Sequence, residues 1–234
     1  MPAGEPFVFF VTDMLITGDL MTVGFDFTKP AASMKREGTW PEEELYRPSD
    51  PGSSTSVYEE VGLEVGSRLD RWQPDEEGGG CRYFNAGGIY GADPKAFGER
   101  FLECALAVRD DRPDALVIQS LDPWLDQVVL PLVIHSFGGG RPAPALDGLD
   151  GDVTCHYRLL PLLYARESDH AVEVMEDVAA PNKIKKWLKQ YDAFKRMIYQ
   201  GRGQKVRAMF DRSDLPPREK QIRNRVKSAD FWVH

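Results

Sequence analysis

Residues 6–16, PFVFFVTDMLI, decide the fold class predicted for this chain. The stretch is short, rich in Phe, Val and Ile, and interrupted only by Asp13, which is typical of a strand buried on both faces of a parallel sheet. The next residues, Thr17-Gly18-Asp19, turn the chain. Helical patterns follow, and strands that alternate with helices predict an α/β fold with helices flanking a mixed sheet.

Two Asp-Pro pairs mark helix starts in the middle of the chain. Asp93 is predicted to cap a helix that has Pro94 at its first position. Asp122 and Pro123 precede the apolar run WLDQVVLPLVIHSF. Within that run Pro131 must kink the helix or lie in its first turn, because proline has no N–H to donate.

Residues 81–91, CRYFNAGGIYG, contain the second informative stretch. Predicted loops at 28–56 and 74–80 precede it, and we predict a strand that ends near Asn85. An asparagine followed by small residues lets a ligand approach the backbone, and it also forms a turn. Both interpretations stay open at the level of the residues.

Composition limits the class of protein. The chain has 234 residues and is 42% hydrophobic and 28% charged, so we expect a packed core. The apolar run near the N-terminus is too short to span a bilayer and lacks the basic start of a signal peptide. Three cysteines without a CxxC pair favour neither a disulfide framework nor a zinc site, and they fit a cytoplasmic location.

Charge is unevenly distributed along the chain. Residues 181–234 hold 15 Lys and Arg but only 5 Asp and Glu, whereas the whole chain has a net charge of −8. We therefore predict an α/β domain over 1–180 and a basic helical extension over 181–234 that packs on it. The basic residues form either a solvated helical face or a patch for an anionic partner. A helix over Lys183–Tyr199 is expected to bury one apolar face, formed by Ile184, Trp187, Leu188, Tyr191 and Phe194.

Three motifs occur in a fixed order. The apolar strand that ends in VTDMLITGDL comes first, FNAGG follows about seventy residues later, and LDPWLDQVVL comes last. This ordered set resembles the nucleotide-sugar glycosyltransferases with a GT-A fold, most closely the glycogenin-like family 8 type. The resemblance covers residues 7–27 and 81–134.

The resemblance implies a metal-assisted transfer of a sugar from a nucleotide-diphosphate-sugar donor to an acceptor of unknown kind. Asp13 is implied as a ligand of Mn²⁺ or Mg²⁺, which prefer oxygen ligands. A donor-sugar site is implied at Asn85, Ala86 and Gly87, where an amide can bind hydroxyl groups and small residues let the ring lie against the backbone. Asp126 and Gln127 are the implied catalytic residues, placed to orient the sugar or to face its anomeric carbon. We expect Asp13, Asn85 and Asp126 to converge on one cleft at the carboxyl edge of the sheet.

The sequence departs from the family at three places. Val11 stands where the first Asp of the family's D-x-D motif is expected, which predicts weak divalent-cation binding. The family's later metal-binding histidine has no clear counterpart, and His156 and His135 are the candidates, although the apolar residues around His135 favour a core position. The βαβα nucleotide-binding half that precedes the acidic strand in the family is missing, which predicts a late start, a fragment or a reduced fold.

Three functions are compatible with these features. The first is a hexosyltransferase, and the alternative is a non-catalytic GT-A remnant that acts as a binding or scaffold domain. A nucleic-acid binder ranks third, because the aromatic residues of the basic segment are expected to be buried and the acidic body repels phosphate. No nucleic-acid partner or transmembrane segment is therefore expected, and a homo-oligomer stays open.

Overall fold

The computed structural model describes residues 4–33, 84–112, 121–122 and 125–233. The predicted loop at 74–80 and most of the loop at 28–56 lie outside these residues. The chain forms two compact units, each built from two segments. Unit 1 comprises Met1–Val11 and Val23–Leu149, and unit 2 comprises Thr12–Thr22 and Asp150–His234.

Unit 1 contains a three-stranded antiparallel sheet. Strand β4 (Gly88–Gly91) lies in the centre, between β1 (Phe7–Phe10) and β3 (Ala31–Ala32). Phe7 pairs with Gly91 and Phe10 pairs with Gly88, so two bulky rings lie opposite two residues without side chains. A Cβ atom at either glycine would come within 3.1 Å of the opposite Phe ring. The small residues of this stretch therefore make room for cross-strand packing.

The expectation of a single parallel strand over 6–16 is wrong. The run is divided at Val11–Asp13, and its two halves, β1 in unit 1 and β2 (Met14–Ile16) in unit 2, each pair antiparallel. Val8 and Phe9 remain 38% and 46% exposed, so β1 is not buried on both faces. The composition of a short apolar run does not distinguish a parallel strand from an antiparallel one. The polar residue Asp13 is the sequence signal that marks the division of this run. Strand β4 follows Asn85, and most of the strand that was predicted to end near this residue lies outside the described residues.

Helices cover the core of unit 1. Helix α1 (Pro94–Asp110) begins as predicted, because Asp93 Oδ1 accepts hydrogen bonds from the backbone N–H groups of Lys95 at 2.8 Å and Ala96 at 3.1 Å. Helix α2 (Leu125–Ser136) is buried from Val128 through Ile134, on every side, with Pro131 inside it. A helix that is apolar all round belongs in the centre of a core. The short helix α3 (Pro144–Asp147) completes the unit.

Unit 2 combines a two-stranded sheet with a set of short helices. Strand β2 pairs antiparallel with β5 (Thr154–His156), and Met14 lies opposite His156. The helices pack around a second core that contains Leu162, Leu163 and Tyr164. They are α4 (Leu160–Arg166), α5 (Asp169–Ala179), α6 (Asn182–Leu188), α7 (Asp192–Phe194), a π-helical turn (Lys195–Tyr199), α8 (Arg202–Arg207) and α9 (Glu219–Ser228).

The predicted continuous helix over Lys183–Tyr199 is interrupted, and its apolar face is buried only in part, with Phe194 packed against the core of unit 2. The backbone leaves the helix between Leu188 and Asp192. Ile184, Trp187 and Tyr191 are 38%, 62% and 63% exposed, so the expected burial of these three side chains is wrong. The break changes the direction of the apolar stripe, and a pattern with a period of 3.6 residues cannot report such a break. The domain boundary at residue 180 differs from the division into units and stays a prediction from charge.

Both units combine helices with antiparallel strands, so the expected α/β class, with mixed helices and sheet, is confirmed. Within the described residues, no helix has the length and apolar character needed to cross a bilayer.

Candidate functional site

Asp13 and His156 meet across the small sheet of unit 2. Asp13 directly precedes β2, and His156 is the last residue of β5, so the antiparallel register brings the two side chains together. His156 Nε2 lies 3.4 Å from Asp13 Oδ2. The imidazole is 8% exposed and the carboxylate is 34% exposed, so the pair is accessible mainly from the Asp13 side.

Backbone hydrogen bonds fix both residues. The Tyr157 N–H donates to the Asp13 carbonyl at 3.2 Å, and the His156 N–H donates to Asp150 Oδ1 at 2.7 Å. Burial raises the pKa of the Tyr157 phenol, and the negative charge of Asp13 raises it further. The phenol therefore stays neutral beside the pair at physiological pH.

A carboxylate oxygen and an imidazole nitrogen are suitable ligands for Mn²⁺. Two donors that bind one octahedral cation at about 2.1 Å each lie roughly 3 Å apart when they are adjacent. The observed 3.4 Å is close to that separation, so the residues present fit two positions of a coordination sphere. The same distance also suits a simple ion pair between a carboxylate and a protonated histidine.

A second group of potential ligands lies in the same unit. Asp150, Cys155 and Glu167 place one ligand atom each within 4.8 Å of one another. Arg166 contacts both carboxylates, at 3.5 Å from Asp150 and 2.5 Å from Glu167. Burial raises the pKa of the Cys155 thiol, and the nearby carboxylates raise it further, so the thiolate that a metal needs is disfavoured. We interpret this cluster as a structural ion-pair network that includes Glu219, which Arg166 contacts at 2.9 Å.

Asn85 forms a buried turn in unit 1. It is 4% exposed, and its Oδ1 accepts a hydrogen bond from the Gly87 N–H at 2.8 Å. The Asn85 N–H donates to the Ser33 carbonyl at 2.7 Å. Ala86 is half-buried and Gly87 is buried. The turn-forming role of Asn85 is therefore realised, and sugar binding by Asn85, Ala86 and Gly87 stays a prediction.

Asp126 and Gln127 lie in the first turn of α2. The Asp126 side chain is exposed, whereas Gln127 is half-buried. Within the described part of the chain, Gln127 Oε1 is buried and accepts no hydrogen bond. Pro131 stands four residues further along and has no N–H to donate to the Gln127 carbonyl. Gln127 thus carries acceptor capacity that the helix does not use.

His135 is half-buried in unit 1. Its ring packs edge-on against Phe84, with 5.4 Å between the ring centroids, at the end of α2. This position fits the interpretation of a helix-end core histidine.

The structure brings together one pair among the candidates predicted from sequence. Asp13 and His156 are neighbours in unit 2, whereas Asn85, Asp126 and His135 belong to unit 1. Because each unit is described by itself, the convergence of Asp13, Asn85 and Asp126 on one cleft stays a prediction. Sequence reasoning missed Asp150, Cys155 and Glu167, which lie too far apart along the chain to form a recognisable motif.

Comparison with known protein families identifies a glycosyltransferase domain. The model of the Rhodobacterales glycosyltransferase domain matches residues 1–138. This range includes Asp13, Asn85 and Asp126 and ends before His156. No curated protein and no solved structure matches the chain.

Proposed function

The chain belongs to the Rhodobacterales glycosyltransferase domain family, and from this premise we propose that it transfers a sugar from a nucleotide-diphosphate-sugar donor with the help of a divalent cation held by Asp13 and His156. The observation that carries the proposal is the 3.4 Å contact between these two side chains. They come from strands about 140 residues apart in sequence, and both are potential metal ligands.

The proposed chemistry follows from the leaving group. Cleavage of the bond between the anomeric carbon and the phosphate leaves negative charge on the nucleoside diphosphate. When bound, Mn²⁺ or Mg²⁺ neutralises such charge as a Lewis acid. Asp13 supplies a carboxylate to this site and His156 supplies a neutral nitrogen. The backbone hydrogen bond from Tyr157 to Asp13 holds the carboxylate-bearing residue in register with His156.

Residues of unit 1 are proposed to bind the donor sugar. Gln127 carries the unused acceptor Oε1, which suits a sugar hydroxyl group. The exposed carboxylate of Asp126 would orient the sugar or face its anomeric carbon. At Ala86 and Gly87 the small side chains let a ring lie against the backbone.

The proposal also includes the type of glycosyltransferase and the compartment in which it acts. We propose a GT-A-like, glycogenin-like hexosyltransferase that acts in the cytoplasm. With Val11 in place of a second carboxylate, Asp13 and His156 are the two protein ligands proposed among the described residues, and the remaining ligands would come from the donor phosphates and water.

A non-catalytic binding or scaffold domain is the alternative. Two observations favour it: Val11 replaces a metal ligand, and Asn85 Oδ1 is engaged in a turn. Such a domain would bind a nucleotide sugar, or a protein partner, without releasing nucleoside diphosphate.

Two measurements together test the proposed function. The first is a thermal-shift screen of nucleotide sugars with and without Mn²⁺, and the second is an assay for released nucleoside diphosphate. A ligand that binds only the native state must raise the melting temperature. We expect one donor to raise it by a few degrees only when Mn²⁺ is present, and we expect slow release of the nucleoside diphosphate. Gln127→Ala should reduce release, whereas Asp152→Asn, an exposed carboxylate of unit 2, should not. Stabilisation without release supports a scaffold that binds a nucleotide sugar. Stabilisation by no donor contradicts the transferase and leaves the scaffold that binds a protein partner.

A further inference from the structure

An exposed apolar stripe lies along α6 and the residues after it. Ile184 and Trp187 lie three residues apart on one side of α6, and Tyr191 follows the end of the helix at Leu188. They are 38%, 62% and 63% exposed, and Val178 at the end of α5 is 56% exposed. Soluble proteins scatter single exposed apolar residues, so several exposed apolar residues close together in sequence, two of them large aromatics, indicate an interaction surface.

Lysines border this stripe. Lys183, Lys185, Lys186 and Lys189 lie in α6 or directly after it, and α6 contains no acidic residue. None of the four forms an ion pair with another described residue. Lys185 and Lys189 extend over the Tyr199 ring, each with 5.5 Å between Nζ and the ring centroid. At about 100° per residue, Lys183 lies about 40° from Trp187 around the helix, and Lys186 lies about 100° from it in the same direction.

We propose that this surface binds peripherally to an anionic lipid bilayer, with Trp187 and Tyr191 inserted at the headgroup level and Lys183 and Lys186 facing the lipid charges. Trp and Tyr have an apolar ring and a polar tip, which suits the boundary between headgroups and acyl chains. Lysine stems follow the apolar surface while their ammonium groups reach the headgroups. A helix with this composition lies in the plane of the interface and does not cross the bilayer.

Charge and residue type favour lipid over other occupants. Residues 181–234 are strongly basic while the rest of the chain is acidic, so the positive charge is concentrated where the stripe lies. The exposed set includes the aliphatic residues Ile184 and Val178, which have no ring for base stacking. The four cations of α6 and its C-cap are all lysines, whereas arginine is the residue preferred for bidentate recognition of nucleic-acid phosphates.

Flotation of the full-length protein with vesicles tests the proposal. One set of vesicles contains phosphatidylcholine with about one third phosphatidylglycerol, and the other contains phosphatidylcholine alone. We expect binding to the anionic vesicles at about 0.1 M salt, and a loss of most of it at about 1 M salt, where charges are screened within a few ångströms. Trp187→Ser combined with Tyr191→Ser should reduce the bound fraction about tenfold, because the inserted apolar area is lost.

Matched variants distinguish binding through this surface from non-specific adsorption to the vesicles. Lys183→Gln combined with Lys186→Gln should weaken binding to the anionic vesicles and remove most of its salt dependence. Leu102→Ser combined with Leu106→Ser, an exposed pair on α1, should bind like the wild type. All these side chains are exposed or charged, so circular dichroism should show an unchanged fold.

Four results would overturn the proposal: no flotation of the wild type, equal flotation of the aromatic variant, an equal loss in the Leu102/Leu106 variant, or equal binding to both vesicle types. Two further measurements test other occupants of this surface. Equilibrium sedimentation detects a dimer of the chain, and a binding assay with a single-stranded oligonucleotide detects nucleic-acid binding. If vesicles are not bound and the aromatic substitutions dissociate a dimer, the surface binds a second copy of the chain. If vesicles are not bound and the same substitutions abolish oligonucleotide binding, the surface binds nucleic acid.

Discussion

At the scale of single residues, the sequence identified both members of the Asp13–His156 pair but not their pairing. Asp13 stood out because it interrupts an apolar run, and His156 was one of two histidine candidates. Only the antiparallel register of β2 and β5 brings them to 3.4 Å. The ranking of His135 as a core residue agrees with its ring contact to Phe84. The role of Asn85 as a turn residue could be predicted, because Asx turns depend on neighbouring residues alone.

The Cys155 thiol should not react with thiol-modifying reagents in the native protein. Burial raises the pKa of its thiol, with a further contribution from Glu167 and Asp150, and burial also raises the pKa of Cys104. A raised pKa leaves the unreactive thiol form at pH 8, and the thiolate would appear only at a much higher pH. In a Cys81→Ser background, we expect a chromogenic disulfide reagent to modify neither thiol in the native state and both in guanidinium chloride.

Rapid modification of Cys155 at pH 8 in the native state would contradict this account of its environment. It would also reopen Asp150, Cys155 and Glu167 as a metal-binding cluster.

At the scale of secondary-structure elements, local signals predicted better than periodicity. Asp93 caps α1 as expected because a cap depends on a few adjacent residues. The helix over Lys183–Tyr199 was predicted from a stripe with a period of 3.6 residues, and the backbone breaks after Leu188. A break of this kind depends on tertiary packing, which the pattern does not contain.

Two glycines in helices should respond in opposite ways to alanine. A Cβ atom at Gly203 in α8 would overlap the ring of Tyr164, which is fully buried and held by a hydrogen bond from its hydroxyl to Glu176 at 2.9 Å. Gly203→Ala should therefore lower the free energy of unfolding by about 1–3 kcal/mol. A Cβ atom at Gly98 in α1 meets no atom within 4 Å, so Gly98→Ala should raise it by up to about 1 kcal/mol.

Urea unfolding followed by circular dichroism measures both effects. A Gly203→Ala variant as stable as the wild type would show that α8 does not pack on the Tyr164 ring in this way.

At the scale of the whole molecule, the basic segment contributes to the core of unit 2. It was predicted to be an extension that packs on the acidic domain, and its side chains Met197, Val206, Ile222 and Val226 are buried in that core. Charge describes the surface of a segment, and its few apolar residues decide where it packs. The α/β class could be predicted because it depends on the order of elements, whereas strand direction could not.

Truncation after Ala180 should prevent unit 2 from folding. Among the buried side chains beyond this point, Met197, Val206, Ile222 and Val226 each contribute roughly 1.5–3 kcal/mol of burial, and together these four match the net stability of a typical domain. We expect the truncated chain to aggregate, or to unfold without cooperativity in a thermal scan. A soluble, cooperatively folded truncation would contradict the described core.

Isothermal calorimetry with Mn²⁺ tests the proposed metal site most directly. The wild type should bind weakly, since Asp13 and His156 provide only two protein ligands, and a nucleoside diphosphate should tighten binding by adding phosphate oxygens. Asp13→Ala and His156→Asn should each abolish the heat of binding, while Asp152→Asn, a nearby exposed carboxylate, should leave it unchanged. Tight Mn²⁺ binding that persists in both Asp13→Ala and His156→Asn would place the cation elsewhere and contradict the proposed site.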